Sequence, residues 1–219
     1  MNIDRISLWE RRRFLSGLGL GAAAFLTPGV YAEAIERTPS AAEGPFFPNK
    51  LPLDTDNDLL IINDKLTPAV GQVTHLSGSV KDLKGNPVRN TLVEIWQVDG
   101  NGVYLHSAAP KENQDPNFQG YGRFSTDSKG RYYFRTVKPV TYPGRTPHIH
   151  VAVSQKGKRL LTSQCYIEGE VQNEKDFLYN RLNKEQQKLV TIAFNPLPKN
   201  ENNELTAQWN LVIGLTAED

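Results

Sequence analysis

The feature that most constrains this chain is His148-Ile149-His150, followed by Val151-Ala152-Val153. In an extended strand successive side chains point to opposite faces, so both imidazoles leave one side while Ile149, Val151 and Val153 pack on the other. The chain has four His in all. Two of them on one strand face, with Tyr142 and Arg145 just before and Tyr104 upstream, make a candidate metal site. Taken alone, a His-x-His pair is more often an ordinary polar strand face than a ligand pair, and Tyr104 and Tyr142 read as core aromatics with bonded hydroxyls.

The 219 residues suffice for one well-filled core and are too few for two large domains. A hydrophobic share of 38% with 22% charged residues fits a globular protein. The formal charge is +1, with no basic stripe interleaved with aromatics, which argues against a nucleic-acid partner. One cysteine, Cys165, leaves no internal disulfide framework and reads as a small buried strand residue.

Residues 1–32 read as a targeting segment. Arg11-Arg12-Arg13-Phe14-Leu15 precedes a short, glycine-diluted apolar run that ends near Pro28, too short to span a bilayer stably. Val30-Tyr31-Ala32 offers small residues for a signal peptidase. Arg-Arg-x-Phe-Leu resembles the bacterial twin-arginine export signal, which implies the twin-arginine export machinery as a partner of the precursor and a periplasmic or extracellular destination. A mature domain over 33–219 would be nearly neutral.

Along that domain the pattern is mainly β. Residues 59–62 read as a short apolar strand, and 73–80, 91–98, 131–137, 148–154 and 159–167 as strands separated by turns such as Lys84-Gly85-Asn86-Pro87 and Asp99-Gly100-Asn101-Gly102. A last strand is expected over 205–215. The rhythm predicts a single-domain antiparallel β-sandwich with long active-site loops and one or two short helices. Residues 107–122 read as a long functional loop, and 173–189 as a helix that packs or covers an edge. Phe46 and Phe47, in a proline-rich loop, either plug one end of the core or line a pocket for a flat substrate.

Two imidazoles with two phenols prefer a hard, trivalent ion. Phenolate is an anionic oxygen donor, and such an ion would pull a Tyr hydroxyl far below its free pKa of about 10. Fe(III) fits best. No Cys pair or His-Glu-x-x-His spacing favours zinc, while copper stays open.

Taken together, Tyr104-x-His106, the run from Asp115-Pro116-Asn117 to Gly122-Arg123, Gly130-Arg131-Tyr132, Tyr142-Pro143 and Arg145-Thr146-Pro147-His148-Ile149-His150 resemble the intradiol ring-cleavage dioxygenases, most closely their protocatechuate-cleaving branch. The resemblance runs over about residues 38–215. It implies one mononuclear, non-haem Fe(III) held by Tyr104, Tyr142, His148 and His150, and a catechol-type diol opened by O2 to a cis,cis-muconate-type dicarboxylic acid. It further implies that Tyr142 takes a substrate proton, that Arg145 stabilises charge on the ring, that Gln164 bonds nearby, and that Phe46 lines the pocket. The link from Tyr142 to Arg145 is short for this family. With Phe46 and Phe47 near the pocket and no obvious further cation, catechol or a small substituted catechol is the expected substrate; the oligomeric state is left open. Two rival readings are a non-catalytic β-sandwich binding module and a zinc or copper hydrolase.

Overall fold

Alternating apolar residues build two five-stranded sheets that face each other across one core, in a computed structural model that describes residues 35–214 apart from Leu53 and Asp64. The expected signal segment and its cleavage point lie outside the described residues. Among those residues no helix is long and apolar enough to cross a membrane.

In the first sheet β1 (Val73–Lys81) is central. It pairs antiparallel with β4 (Arg131–Val137) and, on its other edge, parallel with β9 (Leu205–Gln208) and then β10 (Leu211–Val212). Beyond β9 lies β8 (Phe194–Pro196). The second sheet runs β3 (Tyr121–Ser125), β2 (Leu92–Trp96), β5 (His148–Gln155), β6 (Lys158–Ile167), β7 (Thr191–Ile192). Its four long strands are antiparallel, and β7 adds a short parallel edge. The β-sandwich expectation holds, with parallel pairs confined to strands that return from the C-terminal segment.

The face assignment of β5 also holds. Ile149, Val151 and Val153, with Val93 and Ile95 of β2 and Cys165 of β6, are buried in the core shared with Leu76 and Phe134. Each such side chain contributes roughly 1.5–3 kcal/mol. Tyr121, Trp96, His150 and Gln164 are direct cross-strand neighbours on the opposite face.

Four local expectations are corrected. Residues 59–62 form no strand: the Asp58 carboxylate takes the Leu60 N–H at 3.1 Å, turning the chain so that Leu59 and Leu60 plug the core. The loop from 107 ends earlier than expected, because Tyr121–Ser125 pairs with β2. The helix expected over 173–189 is broken into 3-10 turns at Val171–Lys175 and Tyr179–Arg181 and one α-helix, α1 (Lys184–Val190). Asp176 causes the first break by accepting the N–H groups of Leu178 and Tyr179, and Asn183 starts α1 with a reciprocal capping box to Gln186.

The last strand is interrupted at Trp209-Asn210. The Asn210 side chain takes over from the backbone and accepts the Ser79 N–H, while the Trp209 carbonyl swings over Gly78 and receives the Tyr132 hydroxyl at 2.6 Å. Gly78 leaves room for that carbonyl, since a Cβ there would overlap it. Gly78→Ala should therefore destabilise the fold by about 2–3 kcal/mol and lower the melting temperature by roughly 5–10 °C, measured by circular dichroism.

Candidate metal centre

His148 and His150 reach the outer face of the second sheet because β5 pairs with β6 in the register His148 to Tyr166 and His150 to Gln164. Tyr104 arrives from the turn after β2. The buried Asp99 carboxylate accepts the N–H groups of Asn101 and Val103 at 2.9 Å each and that of Asp115 at 2.7 Å, which fixes the turn and docks the long loop beside it. Tyr142 and Arg145 are the outer residues of a tight turn with Pro143 and Gly144 between them. The Arg145 N–H donates to the Tyr142 carbonyl at 3.0 Å, and Gly144 has φ +82°, a value that glycine adopts without strain.

The structure brings all four expected ligands together. The Tyr104 hydroxyl lies 3.1 Å from His150 Nε2 and 3.3 Å from His148 Nε2, and the two Nε2 atoms are 3.1 Å apart. The ring of Tyr142 stands 5.3 Å from Tyr104 and 5.7 Å from His148, centroid to centroid. Tyr104, His148 and His150 are each less than 5% exposed. His148 Nδ1 is 2.7 Å from the Thr146 carbonyl, an acceptor, so it carries the ring proton and Nε2 presents a lone pair to the cluster.

Three heavy atoms in mutual contact, with too few protons to bond them all, suit a shared ion. Zinc, for comparison, sits about 2.0–2.1 Å from imidazole nitrogen, so donors 3.1–3.3 Å apart are close enough to reach one ion of that size. Among the described residues no group of three or more His, Cys, Asp or Glu could hold an ion, so the phenol oxygens are needed to complete a donor set.

The electrostatics agree. Burial, reinforced by the Arg145 cation, lowers the His148 pKa to about 4. Burial, with His148 and Arg145, drives His150 well below its ordinary value. Both are therefore neutral donors at physiological pH. Burial and the neighbouring Tyr142 push the Tyr104 phenol well above its ordinary value, a penalty that a bound trivalent cation would reverse.

Arg145 occupies the rim. Its Nη2 donates to Gln164 Oε1 at 2.6 Å and its Nη1 to His148 Nε2 at 3.4 Å, while Nε donates to Asp176 at 2.8 Å. Tyr166 also donates to Gln164 Oε1, at 2.9 Å. Phe46 stacks on Tyr104 at 5.0 Å and 12° and meets Tyr142 edge-on at 6.2 Å. It thus lies against the donor set, while Phe47 packs edge-on against Trp96. Trp96 lies flat over His150, at 4.8 Å and 10°. A cleft of about 460 Å³ opens beside Tyr142 and Arg145, with Gln172 and Lys175 in its wall. Lys175 is a further cation that the sequence reading did not place there.

Asp176, Asn173, Tyr166 and Trp96 belong to this neighbourhood and went unrecognised in the sequence. Trp96 and Tyr166 carried a signal: Trp96 alternates away from the core residues Val93 and Ile95 and is the residue paired with His150, and Tyr166 lies two residues after Gln164 on β6.

Comparison with known proteins gives a consistent answer. The family model described as Dioxygenase matches residues 42–214. The chain is 42% identical over 125 residues to the protocatechuate 3,4-dioxygenase beta chain of Burkholderia cepacia, covering 52% of this chain and 53% of that one. It is 31% identical over 184 residues to hydroxyquinol 1,2-dioxygenase of Corynebacterium glutamicum, covering 75% and 58%. The chain thus spans little more than half the length of these relatives. Among solved structures, the dioxygenase domain of a carbohydrate-binding fusion from Streptomyces sp. SirexAA-E superposes with a TM-score of 0.64 at 25% identity, covering 83% of this chain and all of that one. An intradiol ring-cleavage dioxygenase from Tetranychus urticae shares the fold with a TM-score of 0.66 at 22% identity, over 84% of this chain and 97% of that one. With the family match spanning both sheets and every residue of the His-Tyr cluster, the chain belongs to the intradiol dioxygenase family.

Proposed function

We propose that this chain is an Fe(III)-dependent intradiol dioxygenase that opens a catechol-type ring with O2 to give a cis,cis-muconate-type dicarboxylic acid. The observation that carries the reading is the buried contact of Tyr104 Oη, His148 Nε2 and His150 Nε2 at 3.1–3.3 Å, with Tyr142 and Arg145 alongside. Family membership supports it.

Tyr104, Tyr142, His148 and His150 would hold the ion. Ferric iron held there would supply Lewis acidity that draws electron density from the diol. The remaining work falls to the chain. Tyr142 Oη receives one of the two diol protons, a transfer that general acid–base catalysis makes worth about 10²–10⁴ in rate. Arg145 supplies a fixed positive charge for the electron-rich ring. Burial alone would weaken that cation, but the hydrogen bond and charge of Asp176 outweigh it and raise the Arg145 pKa. Gln164 holds the guanidinium from the other side. Phe46, parallel to Tyr104, offers an apolar wall for a flat ring. Catechol or a small substituted catechol suits the apolar wall at Phe46, and Lys175 in the cleft wall is placed to accept an anionic ring substituent.

The same reading extends to the precursor: Arg11-Arg12-Arg13-Phe14-Leu15 and the apolar run after it support export by the twin-arginine route. Replacing Arg11 and Arg12 together by Lys should retain the precursor in the cytoplasm of a bacterial host, read by cell fractionation.

The iron-loaded protein should show a broad visible tyrosinate-to-iron band that changes when catechol is added without oxygen. A colourless preparation with full iron content would refute the ligand assignment. Tyr142→Phe should shift that band and reduce turnover by about 10²-fold or more, followed by oxygen uptake with catechol.

A further inference from the structure

The Asp176 side chain is fully buried and accepts four N–H donors. At Oδ2 these are Arg145 Nε at 2.8 Å and the Thr146 backbone at 3.0 Å; at Oδ1 they are the Leu178 and Tyr179 backbones, each at 3.0 Å. Asn173, in the middle of the 3-10 turn that Asp176 ends, accepts the Thr146 hydroxyl at 2.8 Å and donates to the Ile167 carbonyl at 2.8 Å. Thr146 in turn gives its carbonyl to His148 Nδ1–H.

Two routes therefore lead from one carboxylate to the metal donors. The first runs through the guanidinium. With Nε committed to Asp176, Nη1 and Nη2 are left to face His148 and Gln164. The second runs through the Thr146 backbone, which sets the tautomer of His148 and aims its Nε2 inward. Joining the loop to the 3-10 turns engages both carboxylate oxygens, and an amide could serve only one side with its single oxygen. A buried charge is costly unless it has a charged partner, and here the partner is the arginine beside the donor set.

We propose that Asp176 is a positioning residue for the reaction: it orients the Arg145 guanidinium toward the bound diol and, through Thr146, holds His148 in the tautomer that presents Nε2. This rests on the intradiol reading above. The task is distinct from that of Gln164, whose amide oxygen is shared between Arg145 and Tyr166 and has no link to Thr146.

The test compares the iron-loaded full chain with Asp176→Asn, Arg145→Met and the double variant. Asp176→Asn should keep a cooperative thermal melt and wild-type iron content, shift the visible tyrosinate band, and lower kcat/KM for catechol by about 10²-fold, the effect of a roughly 1 Å misplacement. The double variant should be no more than about threefold worse than the poorer single variant, because the two residues act as one unit. Wild-type kinetics with an unshifted band in Asp176→Asn, or losses that multiply in the double variant, would overturn the proposal. Should Asp176→Asn fail to fold, Asp176→Glu replaces it: the charge is kept but displaced by one methylene. The same band shift and loss of kcat/KM are then expected, and wild-type behaviour overturns the proposal. Failure of the underlying reading looks different, since the unmodified iron-loaded protein would then lack both the band and catechol cleavage.

Discussion

The pairing register of β5 with its two neighbours is the constraint on which everything else depends. His148 and His150 share a face with Trp96 and Gln164 only because His150 stands opposite both. A slip of one residue would send the imidazoles into the core and Ile149, Val151 and Val153 to the outer face. The buried aliphatic side of the strand therefore secures the chemistry on its other side. Packing energy and donor geometry are two faces of one alternation.

Around that strand the centre is assembled from segments far apart in the chain, each tied down by a buried acidic side chain that saturates backbone N–H groups. Asp99 does this for the turn leading to Tyr104, and Asp176 for the turn carrying Tyr142 and Arg145. For Asp176, burial by itself would raise the pKa, but hydrogen bonds from Tyr179, Arg145 and Thr146 prevail and hold it below the ordinary carboxylate range. Its stabilising contribution is thus fully present above the unfolded carboxyl pKa and is lost as pH falls through the lower folded value.

Much of this was legible in the chain itself. The strands over 131–137 and 148–154 and the facing of the two His followed from alternation and turn chemistry, and the grouping of Tyr104 and Tyr142 with them was implied by the family resemblance. What was not legible depended on contacts between distant residues. The 59–62 segment is apolar enough for a strand, but Asp58 offers its backbone a side-chain acceptor instead. The 173–189 segment has helical spacing, yet Asp176 and Asn183 cap it into pieces. Asp176 and Asn173 fell within that expected helix, and nothing in their local pattern says that Arg145 and Thr146 lie across from them. Tyr121–Ser125 was missed as a strand because its identity comes from the partner strand β2.

The Pro143-Gly144 turn has one more implication. With only Pro143 and Gly144 between Tyr142 and Arg145, the distance between the two is locked into the backbone of a tight turn and cannot be tuned by loop length. Evolution of the pocket toward other rings would have to proceed through separate segments, such as the stretch holding Phe46 or the cleft wall at Gln172 and Lys175. Reactivity and selectivity would then reside in different parts of the chain, free to diverge independently.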